Sequence, residues 1–385
     1  MPTYPTYKLS EIARSTKGKK PKSVSKEKTD GFEIPYVDIK AFEKGIVDNY
    51  TDGENCTFCK PDDVLIVWDG ARCGFVGRGV EGAIGSTLAK ICSDKYTNDF
   101  LFYFLQSKYK VLNSNPRGVG IPHIEPNLLW NFEIPDVDKT TQHLIVTRIE
   151  TLFAELDKAV QHLRTAQQQL KTYRQAVLNH WLNNEDGKWE TVKLGNIADV
   201  NTGSTPKRGN KDYWENGNIP WITSGETNNP YITKATEFIT TKAIAETNCK
   251  IIAKGSLVIA MYGEGKTRGK CAELSIDATT NQALASVTFT DSRMNKNFAK
   301  WFFEKNYEDM RMLSSGGVQP NLNLGIIKNM MMPHPPLTEQ QRIVQEIESR
   351  LSQATASETY IENALQQAEA LRQSILKKAF SGELV

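Results

Sequence analysis

The sequence predicts an α+β protein written twice: two domains of mixed α/β structure in tandem, each followed by a long α-helix, the two helices pairing as an antiparallel coiled coil about a pseudo-twofold axis. The first observation behind this is an internal duplication. Phe100, Tyr103, Phe104, Gly118, Pro122, Asn131, Pro135, Gln142, Ile145, Ile149 and Glu150 recur, each 198 residues on, as Phe298, Trp301, Phe302, Gly316, Pro320, Asn329, Pro333, Gln340, Ile343, Ile347 and Glu348. Upstream the shift is 185, carrying Lys8-Leu9 to Lys193-Leu194 and Ile34-Pro35 to Ile219-Pro220. The second is a pair of long stretches without Pro or Gly and with heptad spacing. The third is the alternation of short strand-like runs with turn residues elsewhere. A repeat this long is no solenoid unit, so each copy needs a core of its own.

The order of elements follows. Residues 1–138 form the first domain, where Val64 to Trp68 reads as a strand, a short aromatic helix lies near Phe100, and Gly, Pro and Asn mark turns. A helix fills 139–185, its seam reading Ile145, Ile149, Leu152, Leu156, Ala159, Leu163, Ala166, Leu170, Tyr173 and Val177 in alternating steps of four and three. Such a helix spans about 65 Å, too long to sit inside a domain of this size, and therefore acts as a strut. The second domain, 186–336, repeats the pattern with a strand at Leu257 to Met261 and an aromatic helix near Phe298. The second strut fills 337–385, opened by a Thr338-x-x-Gln341 capping box and stopped by Gly382. Its seam is Ile343, Ile347, Leu351, Ala354, Ser357, Ile361, Ala364, Ala368, Leu371 and Ile375. Small residues midway in both seams let the helices approach, and like domains followed by like helices close most simply about a twofold axis, with the domains at opposite ends. The alternative is that each helix packs on its own domain.

Composition narrows the function. With 385 residues, 39% hydrophobic, the chain can bury sizeable cores. No run approaches the roughly 18 apolar residues of a membrane span, and a cytoplasmic protein is expected. Six cysteines fit a reducing compartment, and Cys56-x-x-Cys59 has no second pair at zinc-ribbon spacing, so no metal site is expected. A net charge of +2 is uninformative as a total. The local run of Lys17, Lys19, Lys20, Lys22, Lys26 and Lys28 suits phosphates or a merely solvated loop.

Two catalytic motifs come close and miss. Gly263-Glu264-Gly265-Lys266-Thr267 follows an apolar strand like a phosphate loop, yet Ala260 replaces the first glycine and the continuation reads as a turn into another strand. Val64 to Asp69 imitates a strand ending in a magnesium carboxylate, but in the other domain. His334-Pro335-Pro336-Leu337 is similar to the loop with which amino-methyltransferases hold a flipped base, except that Leu337 cannot stack on it. No catalytic residues are therefore assigned.

What remains is a set of polar loops that differ between the copies while the framework does not. Lys19, Lys20 and Lys22, then Arg72, then Arg117 and His123 belong to the first. Thr205, Lys207, Arg208 and Lys211, then Lys266 and Arg268, then Gln319 and Asn321 belong to the second. Arg and Lys hold phosphates or guanine edges, Asn and Gln read adenine, and Gly lets backbone approach a duplex; ordinary loop chemistry would use the same residues.

These residues resemble the specificity subunit of type I restriction-modification systems over essentially the whole chain. The phrases that carry the resemblance are Gly203-Ser204-Thr205-Pro206 leading to Tyr213-Trp214, Ile219-Pro220-Trp221-Ile222, Asn281-Gln282-Ala283 and Gly317-Val318-Gln319-Pro320-Asn321. The first copy departs from them, with Gly85-Ser86-Thr87 in place of Asn-Gln-Ala and a lysine-rich stretch in place of the Gly-Ser-Thr-Pro turn. The resemblance implies a non-catalytic reader of double-stranded DNA with two target recognition domains, one for each half of a bipartite, asymmetric site. Its paired helices would set the gap and dock two methyltransferase subunits, with restriction subunits joining them. S-adenosylmethionine, ATP and Mg would serve those partners, and no cofactor is bound by this chain. Two other readings stay open, a P-loop nucleotidase and a coiled-coil scaffold with two protein-binding domains.

Overall fold

The computed structural model of the chain describes residues 4–118, 120–263, 266–312 and 321–384. They fall into two units, Met1–Thr165 with Ile361–Val385, and Ala166–Tyr360.

In the first unit an antiparallel sheet has the order Ala13–Lys17, Leu88–Ser93, Val64–Val67, Val76–Arg78. A second sheet runs Val24–Ser25, Tyr50–Thr51, Ile34–Val37, Gly82–Ile84, Thr57–Cys59, with Ile34–Val37 and Gly82–Ile84 parallel. Val64–Val67 is wholly apolar because it is buried on both faces. Val64 and Ile66 join the core formed with the helix Asn98–Ser114, while Leu65 and Val67 join a second core with Val37, Ala41 and Ile84.

The second unit repeats this. Its larger sheet has the order Ala198–Thr202, Leu284–Phe289, Leu257–Ala260, Cys271–Leu274, Tyr231–Ile232, and a smaller one joins Glu237–Ile239, Ile219–Ile222 and Thr279–Thr280. In Leu257–Ala260 the alternation is the same: Leu257 and Ile259 face the core of Phe298, Phe302 and Phe303, and Val258 and Ala260 face that of Ile222 and Leu274.

The long helices are Lys139–Leu182 and Leu337–Ser381. Asp138 opens the first by accepting from the Thr141 backbone N at 2.7 Å. The second begins at Leu337, so Thr338 lies inside its first turn rather than capping it; Glu339 N and Gln340 N instead donate to the carbonyl of Pro336. Gly382 ends that helix at φ +80°, the left-handed conformation that favours glycine. A glutamine fastens each helix to the domain preceding it. Gln142, fully buried, accepts from Thr97 N (2.9 Å) and donates to the carbonyls of Val137 (3.0 Å) and Lys95 (3.4 Å). Gln340 does the same with Asn295 N (2.7 Å), Pro335 (2.8 Å) and Arg293 (2.9 Å).

Both units contain segments of the two helices side by side. In the second, Arg174 bonds Thr355 (3.0 Å), Trp181 meets the guanidinium of Arg350, and Lys188, just past the first helix, reaches Glu339 (3.7 Å), so the partner number falls as the first rises and the pair is antiparallel. In the first unit Arg372 pairs with Asp157 and lies 4.2 Å over Phe153, while Phe380 stands edge-on to Phe100 and Phe104 at 5.2 and 5.4 Å. The alternative of each helix packing only on the domain before it is thus replaced by a shared arrangement: Ile375, Leu376 and Ala379 of the second helix complete the core of Phe100.

The seam holds at its ends. Ile145, Ile149, Val177, Ile343, Ile347, Leu351, Ala354, Ile361, Ala368 and Ile375 are buried, and Leu152, Leu156, Leu163, Ala166, Leu170 and Ala364 half-buried. Four members are corrections: Tyr173 and Leu371 are 43% and 51% exposed, and Ala159 and Ser357 are exposed too. Their places are taken one residue on, by Val160 and Arg174 in one helix and by Glu358 and Arg372 in the other, all partly buried. An α-helix of 3.6 residues per turn drifts about 20° per heptad, and four heptads from Ile145 or Ile343 amount to nearly one residue.

Candidate nucleic-acid interface

In the first domain the strand Ala13–Lys17 leaves its sheet at Gly18, whose backbone N donates to Leu88 O (2.9 Å); Lys19 N donates to Ile84 O (3.1 Å). A Cβ on Gly18 would lie 2.2 Å from the carbonyl oxygen of Gly85, so only glycine lets the strand exit here. Beside it, Asp69 follows the central strand and is mostly buried. Its Oδ2 accepts from Lys17 Nζ at 2.8 Å, and its Oδ1 lies 2.7 Å from His123 Nδ1. His123 in turn exchanges both backbone hydrogen bonds with Arg117 at 2.9 Å. Tertiary pairing therefore brings together Lys17, Lys19, Asp69, Arg117 and His123, with Lys20 and Lys22 exposed on the adjoining chain. Arg72 is held elsewhere, by Glu43 (2.8 Å) and the ring of Phe75 (4.0 Å).

The second domain has the same frame and other chemistry. Gly203 N donates to Leu284 O (3.4 Å) and Ser204 N to Thr280 O (2.9 Å), and a Cβ on Gly203 would lie 2.1 Å from the Thr280 carbonyl. Gly18 thus stands where Gly203 does, and Pro21-Lys22 stand where Pro206-Lys207 do, so within this turn the first copy departs at Lys19-Lys20 against Ser204-Thr205. Thr205 donates to the side chain of Gln282. Arg208 is caged: its guanidinium lies 4.0 Å over Trp214 and 4.7 Å over Trp221, and it makes a two-point pair with Glu237. That hydrogen bond holds the Glu237 carboxyl below the usual glutamate range. The indole nitrogens of Trp214 and Trp221 donate to the carbonyls of Lys207 (3.3 Å) and Ser204 (3.0 Å), so the two rings brace the loop. Lys207 is exposed, and Lys211 pairs with Glu215 at 3.1 Å.

Lys266 and Arg268 lie in the turn between Leu257–Ala260 and Cys271–Leu274, which pair as an antiparallel hairpin. Lys266 is exposed and its carbonyl accepts from Tyr307 (2.6 Å); Arg268 is half-buried. Strand, turn and strand in this order overturn the nucleotidase reading, because no helix N-terminus follows to receive a phosphate. Asn321 is half-buried beside Met261 O, which accepts from Leu322 N at 3.2 Å. Gln319 lies outside the described residues. His334, the other decoy, sits mostly buried at the joint before the second long helix, its backbone N donating to Glu190 O. Cys59 is buried with its thiol pushed up to about 11, which keeps it protonated and a poor metal ligand.

Sequence reasoning missed Asp69 as part of this cluster, having read it as an imitation magnesium ligand, and missed Trp221 and Glu237 as the cage of Arg208. Only the adjacency of Trp214 to the Gly-Ser-Thr-Pro phrase hinted at the cage.

A repeated mixed domain with divergent loops on a constant frame, fastened to a long helix, defines a two-module recognition protein. The chain belongs to the family of the type I restriction modification DNA specificity domain, whose model matches residues 1–163 and 186–367. Among its relatives, the type I restriction enzyme MjaVIII specificity subunit of Methanocaldococcus jannaschii is 24% identical over 374 residues, covering 89% of this chain and 84% of that one. The EcoBI specificity subunit of Escherichia coli is 25% identical over 386 residues, covering 91% and 80%. In fold, the chain is similar at a TM-score of 0.79 and 19% identity to a chain from a structure of the assembly and conformational transition of the type I R-M system, covering 100% and 99%. It matches the HsdS subunit from Thermoanaerobacter tengcongensis at 0.55 and 19%, covering 100% and 98%. Among the described residues, no helix is long and apolar enough to cross a membrane.

Proposed function

We propose that the chain selects the DNA site for a multi-subunit adenine-N6 methyltransferase and restriction enzyme without catalysing either reaction. Each recognition domain reads one half of a bipartite site, and because the loops differ the halves are unlike in sequence. The paired helices fix the unspecified gap, making half-site spacing a property of the protein's geometry. Two methyltransferase subunits dock on the helices, where Tyr173, Tyr360 and Leu371 leave apolar surface exposed for partner helices. Those partners bring S-adenosylmethionine, and restriction subunits bring ATP and magnesium; all of this takes place in the cytoplasm.

The observation that carries this reading is the equivalence of Gly18 and Gly203: the frame is held to the level of individual backbone hydrogen bonds, and Pro21-Lys22 match Pro206-Lys207, while Lys19, Lys20 and Ser23 stand against Ser204, Thr205 and Arg208. A scaffold with two protein-binding domains has no need of basic loops at both exits. The test is to co-express the chain with a type I methylating subunit that binds it and to map modified adenines across a genome. One split, asymmetric motif with a constant gap is expected. Methylation with an undivided motif, or unchanged when this chain is omitted, would sink the reading.

A further inference from the structure

The two domains place different side chains at one equivalent spot. Trp68 O accepts from Ile124 N (2.9 Å) in the first and Met261 O from Leu322 N (3.2 Å) in the second, so the preceding residues, His123 and Asn321, correspond. The residues after the strand ends correspond likewise, Asp69 to Tyr262, and those before the exit glycines, Lys17 to Thr202.

In the first domain these three residues form a built unit. An aspartate carboxylate only accepts, so its 2.7 Å contact to His123 Nδ1 requires the proton on Nδ1. In its neutral form the ring, held by Asp69 through Nδ1, offers Nε2 as an acceptor. Lys17 on the other carboxylate oxygen offsets the charge that would otherwise repel a phosphate backbone. Asp69 is 17% exposed and His123 46%, which places the carboxylate underneath and the ring in reach of a ligand. Arg117, paired with His123 through the backbone, and Lys19, two residues after Lys17, are exposed and available for phosphates.

We propose that Lys17, Asp69 and His123 are the base-reading unit of the first domain, in which His123 Nε2 accepts from the exocyclic amino group of an adenine or cytosine in the major groove and Asp69 is the positioning residue. At the corresponding place Asn321 offers donor and acceptor together, the pattern that matches adenine. This exchange of side chains on one frame is a physical source of the unlikeness of the two halves. The proposal deepens the DNA-reading function and rests on it.

The test uses the full chain with its methylating partners and a duplex library randomised over the site. His123→Ala should lower discrimination at one base pair of one half by on the order of tenfold. Asp69→Asn should relax the same base pair while leaving affinity for scrambled duplex unchanged, and combining the two should add little. His123→Asn should read adenine at that base pair, shifting the preference if the wild type reads cytosine and keeping it if the wild type reads adenine, so a reader that still folds reports even if the alanine variant does not. Discrimination unchanged in both Asp69→Asn and His123→Ala, or lost equally in both halves, would overturn this inference alone. A wild-type complex with no sequence preference would overturn the underlying function as well.

Discussion

Arg208 shows how far a residue's chemistry depends on its neighbours. Sequence spacing places it among phosphate contacts, but the structure uses it to hold Trp214, Trp221 and Glu237 together, while its neighbour Lys207 stays exposed. Lys207→Ala should therefore weaken binding to all duplexes alike and reduce the salt slope by about one, as read by titration at several salt concentrations. Arg208→Ala should loosen the loop instead, relaxing one half-site. Its pair with Glu237 is half-exposed, so the stability lost should be about 1 kcal/mol or less in urea unfolding. The sign with pH follows from the lowered Glu237 carboxyl: the pair's contribution is complete above the ordinary glutamate range and disappears as pH falls through the depressed value. The difference between wild type and Arg208→Ala should accordingly be largest at neutral pH and shrink in acid to what the stacking on Trp214 and Trp221 leaves. Gly18→Ala and Gly203→Ala drive a Cβ into backbone carbonyls and should each cost about 1–3 kcal/mol, measured by the same unfolding experiment.

Among the elements, the long helices reveal what a heptad pattern contains and what it lacks. Their existence, order and approximate ends were legible because Pro and Gly are absent and apolar residues recur at helical spacing. The face that pairs was legible only near the anchor points, since the drift of a straight helix against a seven-residue count moves Tyr173 and Leu371 outward and Arg174 and Arg372 inward. Leu376→Ala, at a fully buried position, should destabilise by about 2–5 kcal/mol, whereas Leu371→Ala should change stability by less than about 0.5 kcal/mol. Equal effects on thermal unfolding would show the seam assignment to be wrong. The joint glutamines act at the same scale: Gln142→Leu strands the backbone N of Thr97 and the carbonyl of Val137 and should cost about 1–3 kcal/mol.

For the molecule as a whole, the duplication is the organising fact, and both units obey it in the order of the four strands their main sheets share, the double-faced central strand and the fastening glutamine. A DNA reader with basic loops at both exits should bind its site less tightly as salt rises, log affinity falling linearly with log salt. A flat salt profile would favour the protein-binding scaffold.

The sequence by itself determined the tandem repeat, the fold class, the struts and the existence of the central strands, because each is written in local periodicity or in comparison of the chain with itself. Tertiary structure alone decided that Lys17, Asp69 and His123 meet, that Arg208 is caged, and that Phe380 closes on Phe100 and Phe104. Apart from Arg208 on Trp214, those contacts join residues more than ten and up to hundreds of positions apart, and their partners are chosen by strand register and helix phase, which no short window of sequence contains.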